Sequence, residues 1–125
     1  MTKINLAEKF SQFEDHWSPR IAGELNGQHV KLVKFSGEFV WHHYEHEDEL
    51  FLVVDGAFRM DYRDADGQEQ SIPLAVGEFL IVPRGVEHRP VAEAEVSLLL
   101  FEPAGTLNTG TATASEFTVA SPYRI

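Results

Sequence analysis

Residues 77–88 read GEFLIVPRGVEH, and the reading of this run decides the fold. The apolar residues 79–82 form a short strand, Pro83 and Gly85 make a compact turn, and that turn sets the entry to the next strand, 86–91, which carries His88. The same grammar repeats outward along the chain. Asp66-Gly67 marks a tight turn between 71–74 and 57–63, where Phe58, Met60 and Tyr62 alternate. Before them lie strands 38–44 and 49–54. Asn26-Gly27, between 21–25 and 30–35, is the strongest short hairpin signal in the sequence. A last strand covers 96–101. About nine short strands punctuated by Gly and Pro imply an all-β antiparallel sandwich, jelly roll or closed barrel.

The ends differ from this middle. Leu6, Phe10, Phe13 and Trp17 recur at spacings that place them on one face of a helix, with Asn5 and Glu8 capping its start and Pro19 ending it. The expected division is therefore an N-terminal helix or arm over 1–19, a β-barrel over 20–103, and a Thr/Ser/Gly-rich tail over 104–125 that packs on the barrel or on a partner. Residues 50–54 and 98–101 are apolar at consecutive positions, which implies cover on both faces. A second subunit is the simplest cover, so a homodimer is expected.

With 125 residues the chain fits one domain. It has no cysteine, which excludes disulfides, thiolate ligands, Fe–S clusters and cysteine nucleophiles. A formal charge of −10 argues against nucleic acid and anionic membrane as partners. No apolar run approaches the roughly 20 residues of a membrane span, and the start lacks a secretory leader, so a cytoplasmic location is the expectation. Any metal site must be built from histidine, carboxylate, tyrosine or backbone oxygen.

Such residues are clustered. WHHYEHEDELF, residues 41–51, holds His42, His43 and His46 beside Glu45, Glu47, Asp48 and Glu49. Strand alternation turns His42 and Tyr44 to one side, His43 and Glu45 to the other, and gives Glu49, Phe51 and Val53 a common face. There is no supported Ser/His/Asp arrangement, phosphate loop or dinucleotide fingerprint.

Residues 37–56 and 77–88 resemble the two motifs of the cupin superfamily. The second matches through Gly77, Pro83, Gly85 and His88, although Ala92 stands where the motif ends in asparagine. The first matches at Gly37, His42, Glu49 and Gly56, while the slot of its second histidine falls on Tyr44 or Glu45. The later stretch LLLFEPAGTLNTG is similar to the tail of small bacterial cupins that carry a mannose-6-phosphate isomerase-like label. The resemblance implies a double-stranded β-helix (jelly-roll barrel), commonly dimeric, with a divalent metal such as iron, manganese, zinc or nickel in its mouth.

Carried over residue by residue, it implies His42, Glu49 and His88 as metal ligands, two imidazoles and a carboxylate that leave coordination positions open. Tyr44 or His46 completes the set. Phe51, Val53, Met60, and Phe79 or its neighbour Leu80 are expected to line an apolar pocket. Arg84 and Arg89 flank the second motif and are candidates to hold a substrate anion, or else to pair with Glu87 or Glu45 on the surface. The implied function is a metal-dependent oxygenase or isomerase acting on a small molecule. The alternative is a cupin that binds or senses a ligand or metal without turnover.

Overall fold

The structure is a computed structural model, and it describes residues 1–112, 117–119 and 122–125. The expected tail, 104–125, lies partly outside the described residues. One short helix, α1 (Leu6–Phe10), precedes seven strands: β1 (Arg20–Leu25), β2 (Gln28–Glu38), β3 (Glu49–Asp55), β4 (Ala57–Arg63), β5 (Glu69–Ala75), β6 (Phe79–Val82) and β7 (His88–Pro103). These seven strands pair antiparallel with one another, in the order β1-β2-β7-β3-β6, with β4 joining β5 to β7. The all-β cupin expectation is met.

Strand β7 makes this a closed shape rather than a flat sheet. Its first residues, His88–Val91, pair with β4, and its later ones, Ser97–Phe101, pair with β3. Strand β2 runs beside both halves, with a register shift between Phe35 and Gly37. A strand that serves two sheets through such an irregularity turns a barrel corner. The two hairpin turns follow local chemistry. Asn26 and Gly27 both adopt positive φ (51° and 75°), which a two-residue hairpin requires. Asp64 accepts the amides of Asp66 and Gln68 and so shapes the β4–β5 turn.

Inward positions of β2, β3, β4 and β7 fill the barrel: Phe35, Val53, Met60, Val96 and Leu98 are fully buried there. Outward positions Leu32, Val54 and Leu99 are covered by Leu6, Phe10 and Phe13 of the N-terminal segment and by Ile125. The chain end itself pairs with β1, since Ile21 bonds Tyr123 and Ile125 on either side. Part of the apolar surface that the sequence assigns to a partner subunit is thus covered by the chain's own ends.

Three sequence expectations change. The helix stops at Phe10 rather than near Pro19, although Asn5 caps it through the Glu8 amide at 2.9 Å as expected. Five residues are too few to hold a helix by themselves. Tertiary contacts claim the rest: Trp17 takes φ 61° and donates its amide to the Lys34 carbonyl at 2.9 Å. The expected strand 38–44 leaves the sheet after β2, where Gly37 has φ 85°, and returns only as an isolated bridge between His42 and His88. The expected strands 86–91 and 96–101 are the two ends of one bent strand, β7.

Candidate functional site

The isolated bridge joins the two motif histidines. His42 donates its amide to the His88 carbonyl at 3.1 Å and His88 returns the bond at 2.9 Å. The loops on either side are tied as well. Gly85 donates its amide to the Tyr44 carbonyl at 2.7 Å, and Asp48 accepts both the amide (2.9 Å) and the guanidinium Nε (3.2 Å) of Arg84. Those bonds from Arg84 hold the Asp48 carboxyl below its usual range. The pairing brings the imidazoles of His42 and His88 to a centroid distance of 4.3 Å, both buried.

Each ring is oriented by its own backbone. Nδ1 of His42 bonds the Val40 carbonyl at 2.9 Å, and Nδ1 of His88 bonds the Val86 carbonyl at 2.8 Å. A carbonyl only accepts, so Nδ1 carries the proton in each ring and Nε2 carries the lone pair. Burial lowers both pKa values, that of His88 to about 3 with help from neighbouring His42, so the imidazoles are neutral at physiological pH. Nε2 of His88 is buried without a hydrogen-bond partner among the described residues and stands 4.0 Å from Glu49 Oε1. Glu49 is buried at the start of β3.

Two oriented imidazoles with free lone pairs and one buried carboxylate suit a divalent cation, and backbone-oriented histidines are the usual form of metal ligands. The set is not drawn in to coordination distances: no group of three or more His, Cys, Asp or Glu side chains among the described residues has metal-binding geometry. The donors therefore fit a divalent ion in their chemistry, with His88 Nε2 4.0 Å from the Glu49 carboxylate.

The two proposed fourth ligands have other occupations. Tyr44 is buried, its ring edge-on to His42 at 5.4 Å, and its hydroxyl donates to the Asn108 carbonyl at 3.1 Å. Burial, then the charges of Glu102 and Glu47, push its pKa well above the ordinary phenol value, so it stays protonated. His46 is a correction: its side chain is 86% exposed and lies 3.9 Å from Glu45 on the surface.

A cavity opens beside the histidines, lined by His42, Glu49, Glu102 and Asn108 at its polar positions and by Phe35, Phe39, Phe51, Leu98 and Leu100 elsewhere. Phe51 lines it, while Val53 and Met60 belong to the packed core. Leu80 packs inward against that core, and Phe79 is a further correction, 60% exposed on the outer face of β6. Trp17 stacks on Phe35 (4.3 Å) and Phe39 (4.7 Å) along one wall of the cavity. Its free space of about 40 Å³ has room for an ion and water.

Both arginines pair with carboxylates. Arg84 braces Asp48, while Arg89 pairs with Asp61 (3.1 Å) and Glu38 (3.5 Å) and stacks under Trp41. The pairing partners differ from the expected Glu87 and Glu45.

Sequence reading missed Trp17 as a lining residue, and it missed the pair Lys31 and Glu102. Lys31 Nζ lies 2.7 Å from Glu102 Oε1 and 3.2 Å from the Thr106 carbonyl, wholly buried. Burial pushes the Glu102 carboxyl up, against the pull of Lys31. The available signal was strand alternation: Lys31 shares its face with Val33 and Phe35, and Glu102 shares its face with Leu98 and Leu100.

Comparison with known proteins agrees with this fold. The cupin domain family model matches residues 30–102. A cupin-2 domain containing protein from Shewanella frigidimarina NCIMB 400 is 45% identical, with a TM-score of 0.75 over 80% of this chain and 93% of that one. The uncharacterized protein YdbB of Bacillus subtilis (strain 168) is 36% identical over 66 residues, 53% of this chain and 55% of YdbB, so the match spans about half of that relative. Hydroquinone 1,2-dioxygenase PnpCD, solved with Fe3+, is similar in fold alone, at 18% identity and a TM-score of 0.73 over 83% of this chain and 33% of that one. With a family match across more than half of its length and a close structural relative covered almost end to end, this chain belongs to the cupin family.

Proposed function

We propose that this cupin binds a divalent metal through Nε2 of His42, Nε2 of His88 and the Glu49 carboxylate, and there binds and transforms a small organic molecule. The observation that carries the reading is the orphaned Nε2 of His88, buried opposite Glu49 with its proton locked on the far side of the ring. Bound there, the metal would supply a Lewis acid or a centre for oxygen activation. The chain's own contribution is to hold both imidazoles neutral and aimed, and to keep the mouth apolar through Phe39 and Phe51. The oxygenase type is favoured over sugar-phosphate isomerisation, because among the described residues no Lys or Arg lines the cavity to meet a phosphate.

Metal-stripped protein is expected to gain several degrees of melting temperature in excess Mn(II), since about 100-fold excess over Kd is worth about 2.7 kcal/mol. His88→Ala is expected to abolish that gain. An equal gain in both proteins would refute the ligand assignment.

A second reading, binding or sensing of a metal without turnover, is favoured by one observation: the free space beside His42 and Glu49 is small, about 40 Å³. Turnover that survives in the wild type and is lost in His88→Ala would decide against it.

We also propose a homodimer across β6. Phe79 and Ile81 are exposed there, beside Leu52 and Leu50 of β3, and among the described strands β6 pairs with β3 alone. A contiguous exposed apolar strip on an edge strand marks an association surface. Sedimentation should show a dimer for the wild type and a monomer for Phe79→Glu/Ile81→Glu; identical profiles would exclude this surface.

A further inference from the structure

The Lys31–Glu102 pair is one-sided. Glu102 is 1% exposed, and Lys31 satisfies only its Oε1, at 2.7 Å. Oε2 is buried with no hydrogen-bond partner among the described residues, yet Glu102 lines the same cavity as His42 and Glu49. Register explains the proximity. Phe51 of β3 pairs with Leu100 of β7, so Glu49, two residues before the one, and Glu102, two after the other, stand at the same end of the barrel interior. Buried acceptors left without donors are rare and mark a missing ligand, water or ion.

Resting on the metal reading above, we infer that Glu102 is an outer carboxylate of the metal site, whose Oε2 accepts a hydrogen bond from a water or ligand hydroxyl lodged in the cavity beside the ion. Lys31, bonded to Glu102 and to the Thr106 carbonyl, holds the carboxylate at that position. The acceptor selects for O–H and N–H donors and against carboxylates and phosphates at this end of the cavity. Glu102 is a positioning residue, acting through the donor it binds.

The test is Mn(II) titration calorimetry on the metal-stripped full chain. Because removing one partner strands the other, the variants change both: Lys31→Met/Glu102→Leu removes the acceptor, and Lys31→Met/Glu102→Gln keeps an uncharged one. Affinity should fall by about 10-fold in the first, at the low end of outer-shell effects, and recover in part in the second. Wild-type affinity in the first variant, with His88→Ala still impaired, would overturn the inference and make the pair a structural clamp. Wild-type affinity in His88→Ala would instead remove the metal reading on which it rests. If the Leu variant does not fold, wild-type crystals loaded with Mn(II) decide: an ordered donor within about 3.2 Å of Oε2 supports the inference, and none overturns it.

Discussion

Lys31→Met alone is expected to cost about 3–5 kcal/mol of folding free energy, as removal of one member of a buried ion pair does. Both side chains are almost wholly buried, at 3% and 1% exposure, so solvent cannot take over the charge that Lys31 leaves on Glu102. The Thr106 carbonyl loses its donor in the same change. Lys31→Met/Glu102→Leu should recover most of the loss, because an apolar pair of similar volume avoids desolvating two charges. Urea denaturation reads both values. Equal losses in the single and double variants would mean that packing around β2 and β7, rather than charge pairing, sets the cost.

Gly110→Ala is expected to strike the site from outside it. Gly110 has φ 52°, and an added Cβ would meet the His43 carbonyl at 2.6 Å, His42 Cδ2 at 3.0 Å and Tyr44 Cε1 at 3.1 Å. Backbone cannot yield cheaply at such a distance, and the His42 and Tyr44 rings must also give by a few tenths of an ångström. Stability should fall by about 1–3 kcal/mol for the strained backbone, and Mn(II) affinity by about 10-fold for the displaced ligand. Gly105→Ala is the control. Its φ is 88°, yet nothing lies within 4 Å of the added Cβ, so it should lose stability and keep its affinity. Equal Mn(II) affinity in the two variants would count against His42 as a ligand.

The parts of this molecule that local chemistry governs were legible in its sequence. Asn26-Gly27 can form a tight hairpin in few other ways, and the Pro83–Gly85 turn leads into His88 whatever surrounds it. The motifs tie His42, Glu49 and His88 to particular turns and strand ends, and the structure brings these three side chains close together. What failed depended on which face is covered. Phe79, Leu80 and Ile81 are all apolar, so periodicity could not tell that Leu80 turns inward while Phe79 and Ile81 face out. Trp17 sits at helical spacing from Phe13, but its stacking on Phe35 and Phe39 is a tertiary bond that overrides a weak helical tendency. Glu102 and Lys31 look like surface charges until the register of β2 with β7 turns both into the barrel.

The measurement that bears most directly on the metal site is anomalous diffraction at the manganese edge from crystals of the full chain loaded with Mn(II). One strong peak bonded to Nε2 of His42, Nε2 of His88 and a Glu49 oxygen, each at about 2.0–2.2 Å by analogy with comparable imidazole and carboxylate ligation, is the expected result. A peak held by other residues, or none at a concentration that saturates the calorimetric titration, would contradict it.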